Sequence, residues 1–567
     1  MIILNKQQAT SNKQQATSNK QQATSNPCKL ILLFIFALTL TFSACGSDDN
    51  DTKSSQLPDL DGSGIAGDPF LVGSAADLRK VGRGPDGNWT SAALGAHYEL
   101  TENINLENAA WEPIGYVVDQ DNPDWDTTFT GSFDGGSFTI SNLTIKSTSD
   151  DLVGLFGVVG LDGTVENLCV ENITITDSIT GTGNDVWTGG IAGVNAGTIK
   201  NCSATGNVSG DLTGIVAGDD SAVGAIVGLN YFGTIENCFI TGNVAITGNN
   251  WVVGGITGVN EHGTIKDCSV SGNITGTVDW GGVGGIAGGN SDAGTIENCF
   301  VTGTVTGTAN WGVGGIVGVN IDASTIKNCY VTGYVTGNGN SVGGIAGLIF
   351  YGTIENCYNT GNVTGTGDES VGGIAGDNSG EIKNCYVTGT GTITGSNEWV
   401  GGITGINDGK IENCYVTGSV SVTGYQCVGG IVGSNSDGGT IKNCYATVTV
   451  TGAQDVGGIV GGNYVGCTIE NCVALNATVS ASGNGGRVVG SSSPGLSNNY
   501  ALSSMSVTGN IPSDESSGGK DGGNITSEYY NAIWWTGTAN WDLTIWKIEN
   551  SKLPTLRGVG GDQEPTL

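Results

Sequence analysis

The chain has 567 residues, of which 99 are Gly and only 2 are Met, and charged residues make up 13% of it. This composition is poor in helix-forming residues and rich in those that favour strands and tight turns, so it excludes a mainly helical protein and predicts an all-β fold. The formal net charge of -33 at pH 7 repels phosphate backbones, so we expect no nucleic-acid partner.

Residues 1–45 predict a low-complexity leader followed by a lipoprotein signal peptide. The heptapeptide Asn-Lys-Gln-Gln-Ala-Thr-Ser is repeated from Asn5 to Ser25. The apolar run 30–42 follows, which is short for a bilayer span and suits the centre of a signal peptide. The small residues before Cys45 resemble a bacterial lipobox, which implies acylation of Cys45. An ordinary cleaved signal or an uncleaved anchor is the alternative.

Residues 46–58 predict an acidic linker. Its segment from Ser47 to Asp51 resembles the acidic export signal of Bacteroidetes lipoproteins. The resemblance implies a protein that is lipid-anchored in the outer membrane, exposed at the cell surface, and in contact with the membrane through its lipid anchor only. A merely solvated linker is the alternative.

A repeated unit fills most of the chain, and one copy reads Val342-Gly-Gly-Ile-Ala-Gly, then Gly352-Thr-Ile-Glu-Asn-Cys-Tyr. The Cys of this unit recurs every 28 to 36 residues, and three strand-like segments per step predict a parallel β-helix. Alternation places the Cys inside, where we expect reduced thiols, because Cβ atoms at the strand spacing lie wider apart than a disulfide prefers. Disulfides between turns are the alternative. The core Cys column comprises Cys202, Cys238, Cys268, Cys299, Cys329, Cys357, Cys385, Cys414, Cys444 and Cys472.

The residue two positions before each column Cys alternates in sign without exception. Like charges stacked at ~4.8 Å would repel each other, so the alternation predicts a solvent-facing charge ladder that stacks in register and opposes slippage. Duplication of a two-turn unit explains the alternation equally well. The predicted ladder comprises Glu166, Lys200, Glu236, Lys266, Glu297, Lys327, Glu355, Lys383, Glu412, Lys442 and Glu470.

Several Trp residues stand just before the Gly-Gly-Ile strand of their turn. A row of aromatic side chains there would stack on the apolar faces of sugar rings, which makes these residues candidates for glycan binding. Alternatively, each Trp covers its own loop and shields the core. The candidate glycan-stacking residues are Trp187, Trp251, Trp280, Trp311 and Trp399.

The pattern Gly-Gly-Ile-x-Gly-x-Asn-x-Gly-Thr-Ile-x-Asn-Cys resembles the GLUG repeat of surface lipoproteins of the Bacteroidetes type, which also occurs in some IgA-specific metallopeptidases. The resemblance implies a right-handed parallel β-helix and surface display. The metallopeptidases need a His-Glu-x-x-His zinc helix, whereas the His residues here, His97 and His262, lie in no such motif. We therefore expect no protease module, no catalytic residues, no metal and no cofactor.

The repeat and its flanks predict a single all-β body closed by caps at both ends, because open solenoid ends expose apolar core and unpaired strand edges. The predicted divisions are 59–135 for an N-terminal cap with the first turns, 136–503 for the GLUG-repeat β-helix, 504–526 for a Gly/Ser-rich linker, and 527–567 for a Trp-rich C-terminal cap.

These features favour a monomeric surface adhesin or glycan-binding solenoid, whose partners are host or dietary glycans or a host surface protein. A structural stalk or surface-layer component is the alternative. A carbohydrate-active enzyme of the β-helix type is less favoured. Lyases of this fold usually need Arg or Lys outside a regular repeat, whereas paired carboxylates for glycoside hydrolysis stay open, because separations in space are not readable from the sequence. Here the Arg residues stand at 79, 83, 487 and 557, outside the central turns, and the central Lys residues belong mostly to the ladder.

Overall fold

The computed structural model describes residues 56–115, 127–147, 152–177, 186–212, 221–248, 252–278, 281–367, 370–396, 398–492, 494–510 and 514–563. All of them belong to one compact unit, which is a nearly all-β parallel solenoid of about 13 turns. The predicted fold class is confirmed. Within these residues, no helix is long and apolar enough to cross a membrane. The predicted acylation site, Cys45, lies outside them.

The turn that begins at Ser341 shows how the repeat builds the solenoid. Val342 pairs in parallel with Val313 of the preceding turn and Val371 of the following one. Apolar side chains alternate into the core, so that Ile345 and its equivalents in other turns are fully buried. Gly residues mark the sharp corners: a Cβ on Gly343 would lie 1.9 Å from a backbone oxygen, so no larger residue fits there.

The strands of all turns stack into three long parallel sheets. The first sheet has 12 strands, which are Leu152–Val153, Trp187–Gly189, Ala222–Gly224, Val252–Gly254, Gly282–Gly284, Gly312–Gly314, Ser341–Gly343, Ser370–Gly372, Glu398–Gly401, Gln426–Gly429, Gln454–Gly457 and Gly485–Gly486. The second comprises Phe70–Val72, His97–Leu100, Ser132–Asp134, Phe156–Val159, Thr164–Glu166, Ala192–Asn195, Thr198–Lys200, Val227–Tyr231, Thr234–Glu236, Thr257–Glu261, Thr264–Lys266, Ala287–Ser291, Thr295–Glu297, Val317–Ile321, Thr325–Lys327, Ala346–Glu355, Ala375–Lys383, Thr404–Asn407, Lys410–Glu412, Val432–Asn435, Thr440–Lys442, Val460–Asn463, Thr468–Glu470, Val489–Ser492 and Leu496–Ser497.

The third sheet contains the strands that follow the column Cys and those that complete each turn. They are Ile104–Asn105, Ala110–Trp111, Thr139–Ser141, Thr144–Ser147, Cys169–Asp177, Ser203–Leu212, Phe239–Ile240, Asn243–Gly248, Ser269–Val270, Ile274–Thr277, Phe300–Val301, Val305–Ala309, Tyr330–Val331, Val335–Gly339, Tyr358–Asn359, Val363–Gly365, Tyr386–Val387, Thr392–Gly395, Tyr415–Val416, Ser421–Thr423, Tyr445–Ala446, Thr449–Gly452, Val473–Ala474, Thr478–Ala481, Tyr500–Leu502, Ser506–Val507 and Gly523–Ile525.

Helices occur only near the two ends of the described residues. Ala75–Leu78 and Ser91–Leu94 are short α-helices that begin at the side-chain caps Ser74 and Thr90. The 3-10 helix Glu528–Tyr530 and the α-helix Ala532–Gly537 lie near the C-terminus, followed by the antiparallel pair Trp546–Lys547 and Thr555–Leu556.

Two predicted divisions differ from the structure. The segment 504–526 is not a linker throughout, because Ser506–Val507 and Gly523–Ile525 are strands of the third sheet. Residues 527–563, called here the C-terminal segment, pack along the side of the solenoid rather than only at its end. The reason is a strip of Tyr side chains on that side, which the Trp residues of this segment cover.

Candidate ligand-binding face

The predicted charge ladder lies on the second sheet, with each member directly beside the next. The register pairs every consecutive couple from Glu166 to Glu470. Direct ion pairs form at alternate steps over most of the ladder, and their side chains are partly exposed. These pairs are Lys200–Glu166 at 3.1 Å, Lys266–Glu236 at 3.0 Å, Lys327–Glu297 at 3.0 Å, Lys383–Glu355 at 3.4 Å and Lys442–Glu470 at 3.4 Å. Each such pair contributes only ~0.2–1 kcal/mol, and a role of the ladder in opposing slippage stays a prediction.

The predicted Cys column lies inside the solenoid, and its thiols are free and buried. Backbone N–H groups donate to the sulfur of the next turn, as Cys238 does to Cys268 at 3.4 Å. Burial raises the pKa of both thiols well above the ordinary value, because an apolar core cannot solvate a thiolate. These two thiols therefore stay protonated and serve to fill the core.

Asn side chains form two ladders. Asn201, the residue before a column Cys, has a left-handed backbone with φ 54° and donates to Asn167 of the preceding turn at 3.0 Å. This outer ladder is mostly exposed or half-buried, although Asn471 is buried. A second ladder, which was not predicted, is fully buried: Asn230 donates to Asn260 at 2.7 Å and Asn260 to Asn290 at 2.8 Å. The Gly-x-Asn that most repeats carry is the signal that would have revealed it, and Ile349 interrupts it.

The predicted Trp residues do not share one column. Trp187 lies within its strand and pairs with Ala222, a place that Gly312 holds in a later turn. Trp311 precedes Gly312, so it belongs to a different column. Trp399 has a left-handed backbone with φ 46°. The pairing of its strand with the following strand includes Glu398 and Val400 but not Trp399. The other two candidates, Trp251 and Trp280, lie outside the described residues.

A different set of aromatic side chains does form a row, which was not predicted. Consecutive ring centroids lie 4.9 to 5.1 Å apart, and their planes are inclined by only 4 to 11°. The spacing follows from the ~4.8 Å between neighbouring strands. The signal in the sequence is an aromatic residue directly after the Cys in consecutive turns. This aromatic row comprises Phe300, Tyr330, Tyr358, Tyr386, Tyr415 and Tyr445.

The C-terminal segment covers one end of the aromatic row. Tyr386, Tyr415 and Tyr445 are fully buried beneath it. Their hydroxyls donate to the carbonyl of Gly560 at 2.8 Å, to the side chain of Gln563 at 3.1 Å and to a Pro carbonyl at 2.7 Å, respectively. Burial raises the pKa of all three hydroxyls. Every polar group that this cover buries on the row is therefore satisfied.

Within the described residues, the C-terminal segment does not cover the other end of the row. Tyr358 packs only partly against the C-terminal segment, and Tyr330 and Phe300 are half-buried. In the turn that precedes Phe300, Ser269 takes the place of an aromatic residue. One turn earlier, Phe239 again holds that place, with 42% of its surface exposed. The row thus has a gap one ring wide at Ser269.

A group of possible metal ligands, which was not predicted, lies on the same turns. Glu261, His262 and Asp292 each bring one ligand atom to within 4.8 Å of the others. His262 and Asp292 each follow a paired Asn by two residues, so they occupy the same place in consecutive turns. One imidazole with two carboxylates is a donor set that first-row divalent cations accept. A set of metal ligands that is divided between turns cannot be recognised in the sequence until the register of the turns is known.

Comparison with known proteins relates the repeat to one motif. Eight segments match a family model described as the GLUG motif, namely residues 219–245, 249–275, 281–306, 309–336, 338–364, 367–394, 396–423 and 424–451. A solved structure described as an immunoglobulin A1 protease from Bacteroides ovatus aligns over 88% of this chain and 94% of its own, with 18% identity and a TM-score of 0.22. That score is too low to carry an argument about the fold.

Two curated relatives match shorter stretches. Halomucin from Haloquadratum walsbyi is 37% identical over 171 residues, which are 28% of this chain and 2% of halomucin. A protein described as a Gly-rich membrane protein, from Evansella cellulosilytica, is 30% identical over 178 residues, which are 30% of this chain and 18% of that protein. The matches thus span less than a fifth of either relative. What the comparisons establish is that this chain carries GLUG-motif repeats.

Proposed function

We propose that the chain is a surface-displayed solenoid that binds glycans along the uncovered end of its aromatic row. The observation that carries this proposal is that one end of the aromatic row is buried and the other end is accessible. Three Tyr residues are buried with all their hydroxyls satisfied, while Tyr330, Phe300 and Phe239 are left accessible on the same side. Exposed aromatic patches on a soluble surface mark interaction sites, and the face of a ring at an interruption of the row suits the apolar face of a sugar ring.

The two relatives, a halomucin and a protein described as a membrane protein, support the proposal that this chain is displayed at the cell surface. The lipid anchor at Cys45 would hold the solenoid in the outer membrane as a monomer. Replacing Cys45 with Ser is expected to move the protein from the membrane fraction to the soluble fraction and to abolish its labelling by a radioactive fatty acid. Continued labelling of this variant would contradict the anchor.

The test of glycan binding is an array of mucin-type and plant glycans probed with the purified chain, together with an assay for released reducing sugar. Retention without release of sugar is the expected result. A structural stalk is the second candidate, because the charge ladder, the two Asn ladders and the buried Cys column all serve a regular rod. Absence of retention from every glycan on the array would favour that candidate.

A further inference from the structure

We infer that the gap in the aromatic row at Ser269 is a subsite for one neutral pyranose ring, inserted between Phe239 and Phe300. The inference rests on the proposed function in taking a sugar as the ligand. The register places the three residues in consecutive turns, so two strand spacings, about 9.6 Å, separate the two aromatic positions. A ring midway between them would lie at about the distance that separates Phe300 from Tyr330, 5.0 Å.

The same turn departs from the repeat a second time, at Asp267. The neighbouring turns carry Asn237 and Asn298 at this place, and Asn298 donates to the Asp267 carboxylate at 3.1 Å. A carboxylate has no N–H with which to continue the ladder to Asn237. The substitution therefore costs the fold a hydrogen bond while it places an exposed acceptor two residues from Ser269. Local rules are broken in this way at functional sites.

The row is also interrupted near its covered end. Val473 takes the place of an aromatic residue in the turn after Tyr445, and there Trp residues of the C-terminal segment cover the row. The Trp541 centroid lies 5.9 Å from that of Tyr445, and its indole N–H donates to the carbonyl of Asn471 at 3.0 Å. Asn471 holds in its turn the place of Asp267. Trp541, whose plane is inclined by 40° to that of Tyr445, thus covers this interruption with an apolar ring that also donates to the backbone.

The rims of the two gaps differ, and the difference selects a sugar over a protein side chain. Two residues after Val473 stands the buried Leu475, whereas two residues after Ser269 stands the exposed Ser271. Hydroxyls also flank the gap in the adjoining turns, at Thr241 and Thr302, both exposed. A hydroxylated rim with one carboxylate suits the hydroxyl groups of a sugar. The net charge of -33 disfavours uronates and sialylated chains, so the subsite takes neutral sugars.

The decisive variant is Ser269→Phe, which completes the aromatic row with the residue that its neighbouring turns carry. It should fold at least as well as the wild type, because stacked rings stabilise a sheet, and it should weaken binding of neutral pentasaccharides of glucose or mannose by about tenfold or more. Ser269→Ala leaves the gap open and should bind like the wild type. Titration calorimetry measures the affinity, and circular dichroism with a thermal midpoint checks the fold.

Asp267→Asn keeps the inference testable if Ser269→Phe fails to fold. It restores the amide ladder, so it should raise the thermal midpoint and at the same time weaken pentasaccharide binding, by about fivefold to tenfold. Wild-type binding that survives both variants would overturn the subsite and leave the proposed function standing. Failure of the wild type to bind any sugar would overturn the proposed function, and equal binding of oligogalacturonate would overturn the preference for neutral sugars.

Discussion

One row of stacked rings meets two environments. From Tyr386 to Tyr445 it lies beneath the C-terminal segment, and its rings are fully buried with their hydroxyls bonded. From Tyr330 towards Phe239 no described residue of the C-terminal segment covers it, and it is interrupted by a small polar residue. The backbone register is the same in both regions. The comparison shows that the solenoid provides a regular platform, and that the residues flanking each ring decide whether it serves the fold or remains accessible.

The largest expected difference between the two regions is in stability. Tyr445→Ala removes a fully buried ring from beneath Trp541 and Trp546 and should destabilise the C-terminal segment by about 3–5 kcal/mol. Tyr330→Ala removes a half-buried ring and should cost about 1 kcal/mol, because less apolar area is lost. Limited proteolysis with mass spectrometry measures the release of residues 527–563. Equal release in the two variants would contradict the comparison.

The fold was predictable from the sequence to the extent that local patterns determine it. The Gly-Gly-Ile and Asn-Cys elements give the parallel turns, and the alternating charges from Glu166 to Glu470 indicate the register. The candidate ligand-binding face was not predictable, because it depends on which turns the C-terminal segment covers. The C-terminal segment meets Tyr386 across more than a hundred residues, for example through Gly560, and no local pattern encodes that contact.

Glycan stacking on the Trp residues stays a prediction, but the register shows why their shared sequence context does not define one column. A shift of one position moves a side chain into another column of the solenoid. Trp187 lies inside its strand and Trp311 one residue before the equivalent place, so the similar sequence context of the two residues did not imply a shared row. Loop residues have no register of their own, whereas Tyr358, directly after a core Cys, is fixed in place by pairing on both sides.

Alkaline pH should separate the two regions without any mutation. Burial raises the pKa of Tyr445 well above the ordinary 10.0, and that of Tyr386 and Tyr415 is raised as well. An acid whose folded pKa is raised contributes stability that is complete below its unfolded pKa and is lost as the pH climbs above it. The C-terminal segment should therefore detach above about pH 10, before the solenoid unfolds.

Trp fluorescence follows this detachment, because the buried Trp535 and Trp546 become hydrated, while far-ultraviolet circular dichroism reports on the strands. Tyr445→Phe removes one titrating hydroxyl, so detachment of the segment in this variant should depend less steeply on pH. At neutral pH the variant should dock less stably by about 1 kcal/mol, because the carbonyl of Pro554 loses its hydrogen bond. A fluorescence signal that stays constant to pH 12 would show that the three Tyr residues are not linked to docking of the segment.

The smallest expected effect belongs to the charge ladder, which should not distinguish the two regions at all. Lys327 shares a turn with the uncovered Tyr330 and pairs with Glu297 at 3.0 Å, and Lys442 shares a turn with the covered Tyr445 and pairs with an acid at 3.4 Å. Both ion pairs lie on the second sheet, away from the row. Lys327→Glu and Lys442→Glu each stack three acids in adjacent turns and should cost the same, about 1 kcal/mol.

Added salt should reduce both losses, because exposed charges are screened, and denaturant titrations at low and high ionic strength measure this. A larger loss for Lys442→Glu alone would mean that the C-terminal segment also depends on the ladder. Equal, salt-sensitive losses would confine the difference between the two regions to the aromatic row, where one set of rings is sealed by the chain's own Trp residues and the other is left to a ligand.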